Sequence, residues 1–107
     1  FLFDPKRVNV LGEYGGIGLP VENHLWWNKR NWGYVQFKNS DEVTAEYVKY
    51  ANILKDYVKR GFSAAVYTQT TDVEGEVNGL MTYDRKVIKI NEAAVKNANQ
   101  SVINELK

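Results

Sequence analysis

Along the 107-residue chain, the spacing of apolar positions changes several times, and each change marks an element. The clearest stretch runs from Ser40 to Arg60. There Val43, Tyr47, Tyr50, Ala51, Leu54 and Val58 recur at intervals of 4, 3, 1, 3 and 4. That spacing gathers them on one face of a helix. Ser40 suits the N-cap, Asp41 and Glu42 complement the positive end, and Lys59 and Arg60 complement the negative end. Gly61 stands where a left-handed residue closes a helix. Val95, Ala98, Val102 and Leu106, at intervals of 3, 4 and 4, predict a second helix capped by Asn91. Ile90 and Val95 are placed to form a hydrophobic staple over that cap.

Outside the helices the pattern is different. Arg7 to Gly12 carries Val8, Val10 and Leu11 and predicts a short strand that Gly12 ends, with Glu13 directly after it. Phe62 to Thr71 has no clean alternation and small residues on both faces, as in a parallel-sheet strand buried on both sides. Residues 12–39 hold six of the seven Gly and Pro that precede residue 40, and no helical period survives there. A loop that long is more often functional than merely connecting. Asp72 to Asp84 reads as a polar loop, and Lys86 to Ile90 as a short extended piece. No internal repeat or low-complexity tract is present.

The order strand, loop, helix, strand, loop, helix is that of an α/β chain with a parallel sheet. Two parallel strands leave their edges open, and two amphipathic helices need a larger sheet to rest on. A closed (β/α)8 barrel takes ~250 residues, more than twice this length. The arithmetic points to residues 1–107 as a fragment carrying two βα units of such a TIM barrel. The only Met is Met81, so Phe1 is not a translation start. We expect a chain cut from a longer one or one whose upstream part was removed. No charged leader precedes an apolar stretch in the manner of a signal peptide.

Composition narrows the function classes. Fourteen Lys and Arg against thirteen Asp and Glu give a formal charge of +1. That balance lacks the basic excess a nucleic-acid binder needs. No run approaches the ~18 apolar residues of a membrane span. With no Cys, the chain has no disulfide scaffold, cysteine nucleophile or thiolate metal site. An apolar share of 44% fits a globular chain rather than a disordered one.

The candidate chemistry lies in the loops. Glu13 follows a strand, where barrel enzymes place their catalytic groups, and Gly12, Gly15 and Gly16 permit a tight backbone beside it. Asp72, Glu74 and Glu76 alternate between Gln69 and Asn78. They lack the later bidentate Glu and the fixed Gly of a calcium loop, so a polar loop is the better reading and no metal is expected. Trp26, Trp27 and Trp32 offer flat rings suited to the C–H face of a sugar, or to pinning a long loop. His24, the only His, is a loop hydrogen-bonder or a substrate contact. Gly12 to Gly18 has no following Lys-Ser/Thr and opens no helix, so it is no phosphate cradle. No cofactor is called for.

Two longer motifs carry a resemblance. They are Leu11-Gly12-Glu13-Tyr14-Gly15-Gly16 and the run from Tyr67-Thr68-Gln69-Thr70-Thr71-Asp72 through Val73-Glu74-Gly75-Glu76-Val77-Asn78-Gly79-Leu80. With Gly18-Leu19-Pro20-Val21, His24-Leu25-Trp26, Asn31-Trp32-Gly33-Tyr34 and Thr82-Tyr83-Asp84-Arg85-Lys86, the stretch from about Val8 to Lys89 resembles one known group. That group is the C-terminal end of the catalytic barrel of family 2 glycoside hydrolases, the β-galactosidase and β-glucuronidase relatives, in their large Bacteroides-type form. The resemblance implies that the two strands are the seventh and eighth of the barrel. It implies that Glu13 is the nucleophile of a retaining glycosidase and that Tyr14 orients its carboxylate. It makes His24, Trp26, Gln69, Asp72 and Glu74 candidates for the substrate rim.

In the family the acid/base Glu follows an Asn at the end of the fourth strand. The Asn-Glu pairs here, Asn91-Glu92 and Asn104-Glu105, fall at the start and end of the last helix. The acid/base is therefore expected outside this chain. Many relatives carry a Trp after the eighth strand, where this chain reads Tyr67-Thr68-Gln69-Thr70, so a galactoside is not specified. The expected partners are a carbohydrate substrate and the remainder of the barrel, with export compatible with the absent Cys. The isolated fragment should be inactive and should self-associate. The rival reading is a non-catalytic carbohydrate-binding or structural piece.

Overall fold

Both helices form where the apolar periodicity places them. The computed structural model describes residues 3–106. In chain order its elements are β1 (Asn9–Gly15), β2 (Ile17–Gly18), β3 (Val35–Gln36), α1 (Ser40–Lys59), β4 (Phe62–Thr68) and α2 (Glu92–Asn104). The helix α1 buries Val43, Tyr47 and Ala51, one stripe of its apolar face. Its N-cap is Asn39 rather than Ser40. The Asn39 side chain accepts from the Glu42 N–H at 2.9 Å and donates to the Glu42 carboxylate at 3.1 Å. This reciprocal arrangement uses Asn39 because its backbone is still extended (φ −153°). At the other end Gly61 takes φ +103°, a left-handed value that suits glycine.

Asn91 caps α2, accepting from the Ala94 N–H at 3.0 Å. Ile90 joins Val95 in the core, completing the staple. The helix stops at Asn104, so Leu106 falls beyond it and is 66% exposed.

The strands depart further from expectation. β1 continues past Gly12 to Gly15, so Glu13 lies within the strand and not after it. The reason is its partner. β1 pairs in parallel with β4 from Asn9 opposite Phe62 to Gly15 opposite Thr68, and that ladder carries the chain across the glycine. A register shift falls between Leu11 and Glu13. β4 ends at Thr68, short of Thr71, and Ser63 to Val66 are exposed rather than buried on both sides. They are exposed because, among the described residues, β1 and β4 are the whole of this sheet. The long loop also holds regular structure. β2 and β3 form a second parallel pair, Ile17 with Val35 and Gly18 with Gln36. Between Lys86 and Ile90 the extended piece reduces to one bridge, Ile88 with Met81.

The architecture is thus a small α/β arrangement with parallel strands and a helix between β1 and β4. Its core is Ile17, Leu19, Val43, Tyr47 and Val95, with Phe37, Tyr67 and Leu80 packed against it. This core ties the loops beyond β1 and β4 to the first halves of both helices. Toward the other ends of the helices, an apolar cleft of about 250 Å³ lies between sheet and helices, lined by residues including Leu11, Tyr14, Leu54, Tyr57, Val102 and Ile103. No helix among the described residues is long and apolar enough to cross a membrane.

Candidate functional site at the strand ends

Parallel pairing brings the carboxyl ends of β1 and β4 side by side. Glu13 sits one register step below Tyr14–Tyr67 and two below Gly15–Thr68, and it is exposed. With Tyr14, Gly15, Gly16, Tyr34 and Thr68 it lines an open cavity of about 220 Å³. The glycines there are required by the chain itself. A Cβ on Gly15 (φ +103°) would stand 2.6 Å from the Tyr67 ring and 2.9 Å from the Thr68 carbonyl oxygen. A Cβ on Gly16 (φ +66°) would collide with Tyr34. Gly12 has open space around it.

Tyr14 belongs as much to the scaffold as to the cavity. Its ring meets Tyr67 edge-on at 5.3 Å and Tyr50 at 6.4 Å. Burial raises its phenol to about 12. Among the described residues no hydrogen bond joins Tyr14 to Glu13; the alternation of a strand turns neighbouring side chains apart. Tyr67 is raised as well, also by burial, and its hydroxyl is buried without a hydrogen-bond partner.

Gln69 follows β4 directly. Its amide donates to the Asn78 side chain at 2.7 Å, and Asn78 is fully buried. Asp72 is held inside the same loop. Its Oδ1 accepts from the Lys89 ammonium at 2.6 Å and from the Gly79 N–H at 2.9 Å. The Lys89 side chain has no exposed surface and donates also to the Val77 carbonyl at 2.9 Å. Burial pushes the Asp72 carboxyl up and the Lys89 amine down, and the pairing opposes both shifts. Asp72 is therefore a strut of the loop. Glu74 lies at an exposed turn between Val73 and Glu76 with φ +52°.

The two long loops interlock. Trp32 exchanges backbone hydrogen bonds with Gly75 and Val77, both at 2.7 Å, and the Trp27 ring lies over Gly75. His24 Nδ1 is 2.8 Å from Asp84 Oδ2, and the Trp26 ring stands 5.8 Å from that of Tyr83. Thus His24 contacts Asp84 and Trp26 contacts Tyr83, Gln69 and Asp72 lie within their own loop, and Glu13 and Tyr14 share the cavity at the strand ends. Sequence reasoning noted Asn78 beside the acidic loop and Tyr83 and Asp84 within a motif, but gave none of them a role, and it missed Lys89. Asp84 had a faint signal in the Thr82-x-Asp84 turn; Lys89 had none, since a lysine is ordinarily exposed.

Among the described residues no three His, Asp or Glu side chains converge as a metal site. Neither a family model nor a curated protein matches the chain.

Proposed function

We propose that this chain is the last two βα units of the barrel of a retaining glycoside hydrolase related to family 2, with β1 and β4 as its seventh and eighth strands and Glu13 as nucleophile. The observation that carries this reading is the parallel pairing of β1 with β4 across α1. It sets an exposed carboxylate near a strand's carboxyl end, over an open cavity, which is where barrel enzymes do their chemistry.

In such a reaction the Glu13 carboxylate attacks the anomeric carbon, the glycosidic C–O bond breaks, and a second carboxyl group gives its proton to the leaving oxygen. Water, deprotonated by that same group, then releases the sugar from the glycosyl ester. The two carboxyl groups must stand ~5–5.5 Å apart. Glu92 opens α2, and Glu105 closes it beside Lys59 at 4.0 Å, so neither sits at a strand end. The acid/base then comes from the rest of the barrel, and its loss removes a contribution of ~10²–10⁴-fold. The 107-residue chain, assayed with nitrophenyl β-galactoside, is expected to show no turnover above buffer. Turnover that disappears in Glu13→Gln would place both catalytic groups inside the chain and defeat this division.

A second reading, a carbohydrate-binding piece without catalysis, is favoured by the tryptophans. Trp26, Trp27 and Trp32 remain about half exposed, at 53%, 49% and 46%.

A further inference from the structure

The Asn78–Gly79 step joins a reactive sequence to an enclosed place. Of the eleven Asn in the chain, Asn78 alone is followed by Gly. In an open chain such a step modifies itself. The glycine nitrogen gives up its proton to solvent base and attacks the asparagine Cγ. The Cγ–Nδ2 bond breaks, and Nδ2 leaves as ammonia. Water then opens the five-membered imide at either of its carbonyls. One product is an aspartate, and the other is an isoaspartate, whose backbone runs through the former side chain. Glycine favours the attack because it has no Cβ to hinder its nitrogen or restrict its turning. One water is consumed and one ammonia released, and no other reactant is needed.

In the folded chain each participant is held away from that reaction. Asn78 has no exposed surface. Gln69 clamps it twice, donating its backbone N–H to the Asn78 carbonyl at 3.3 Å and its side-chain amide to Asn78 Oδ1 at 2.7 Å. The Gly79 N–H, whose proton would have to leave, is donated to Asp72 Oδ1 at 2.9 Å. Gly79 is also wedged in place, since a Cβ there would stand 2.3 Å from both the Asp72 nitrogen and the Thr71 carbonyl carbon. The freedom that makes glycine a reactive neighbour is therefore absent in the fold. The products also suit the place badly. Asn78 Nδ2 is buried without a hydrogen-bond partner, and the exchange would put a carboxylate oxygen at that enclosed point. Lys89, the buried cation beside this loop, is already engaged by Asp72 and the Val77 carbonyl. A second buried carboxylate would lack a counter-charge of its own. An isoaspartate would in addition lengthen the backbone between the Gln69 clamp and the Gly79–Asp72 hydrogen bond.

We propose that Asn78–Gly79 is a self-modification site gated by folding. It is shielded in the native chain, it converts to aspartate or isoaspartate in the unfolded chain, and once converted it bars return to the native loop. Unfolding then becomes irreversible in proportion to the time spent unfolded, a chemical route to kinetic rather than equilibrium stability. The inference stands on the loop alone and is independent of the hydrolase reading.

The test ages the 107-residue chain at mildly alkaline pH in buffer and, in parallel, in guanidinium chloride. Samples are taken over days, mapped by peptide mass, and diluted from denaturant with refolding followed by Trp fluorescence. We expect the mass gain of an amide-to-acid exchange in the peptide that holds Asn78. It should accumulate at least ~100-fold more slowly in buffer than in denaturant, because the site must open before it reacts. The refolding fraction should fall along the same time course, and the refolded molecules should be depleted in converted chain. Asn78→Asp should fail to refold as the aged chain does. Equal rates in buffer and denaturant overturn the shielding, and absence of conversion in denaturant overturns the site. Converted chain found equally in the refolded and unrefolded fractions, or refolding lost before conversion begins, overturns the link to irreversibility. Both rates are read on the unaltered chain, so the result does not hang on a variant folding.

Discussion

At the scale of single residues, two carboxylates that look alike in the sequence have opposite surroundings. Glu13 is exposed over a cavity, whereas Asp72 is 5% exposed and locked to a lysine with no exposed side chain. Such a pair is costly to desolvate and costlier to break. Lys89→Met leaves the Asp72 carboxylate without its counter-charge and should lower stability by ~3–5 kcal/mol, read from urea unfolding. Adding Asp72→Asn should recover a large part of that loss, because an amide still accepts from the Gly79 N–H without a buried charge. Equal destabilisation in the single and double variants would rule out charge burial as the cause. The sequence could suggest Asp72 as a polar loop residue, but not its partner, seventeen positions away and of a type that usually reaches solvent.

At the scale of elements, periodicity made both helices legible, because each must bury a stripe and a stripe has a fixed spacing. Their ends were less so. Asn39 and Ser40 are both good caps, and only the extended backbone at Asn39 decides between them. Asn39→Ala should therefore cost ~1 kcal/mol in urea unfolding and Ser40→Ala almost nothing; the reverse order would return the cap to Ser40. The strands were harder still. Gly12 has the look of a terminator, and the ladder to β4 that carries β1 across it is a contact of long range. β2 and β3 contribute two residues each, too few for any alternation to register. Of the candidate site, the nearness of Glu13 to a strand's carboxyl end was legible from the βα order, but its place inside β1 was not; the His24–Asp84 and Trp26–Tyr83 contacts were not legible either, since they join loops with no common periodicity.

At the scale of the whole molecule, the chain is more spread out than its length requires. Its accessible surface is 7274 Å², against ~6,100 Å² expected for a folded monomer of this mass. Its radius of gyration is 15.0 Å, against ~13 Å expected for a domain of this length. The excess is apolar in part: Val10, Val66 and Ile103 are each about half exposed, and Leu106 more so. Open strand edges and an uncovered cleft favour pairing between copies. Light scattering at micromolar concentration should accordingly give a mass above the 12.3 kDa of one chain. A stable monomer would show that the exposed faces tolerate water unaided.

The pairing of β1 with β4 also has a consequence in time. Asn9 and its partner Phe62 are 53 positions apart, with α1 between them. During synthesis from the N-terminus at ~5–20 residues per second, β1 emerges and then waits several seconds for the strand it needs. α1, built from local contacts, forms within that interval and needs no such wait. Each newly made chain therefore passes through a period with a helix in place and an unpaired strand beside it. In that period the unpaired hydrogen-bonding groups of β1 are open to a neighbouring nascent chain, a competition that ends once the tethered β4 arrives.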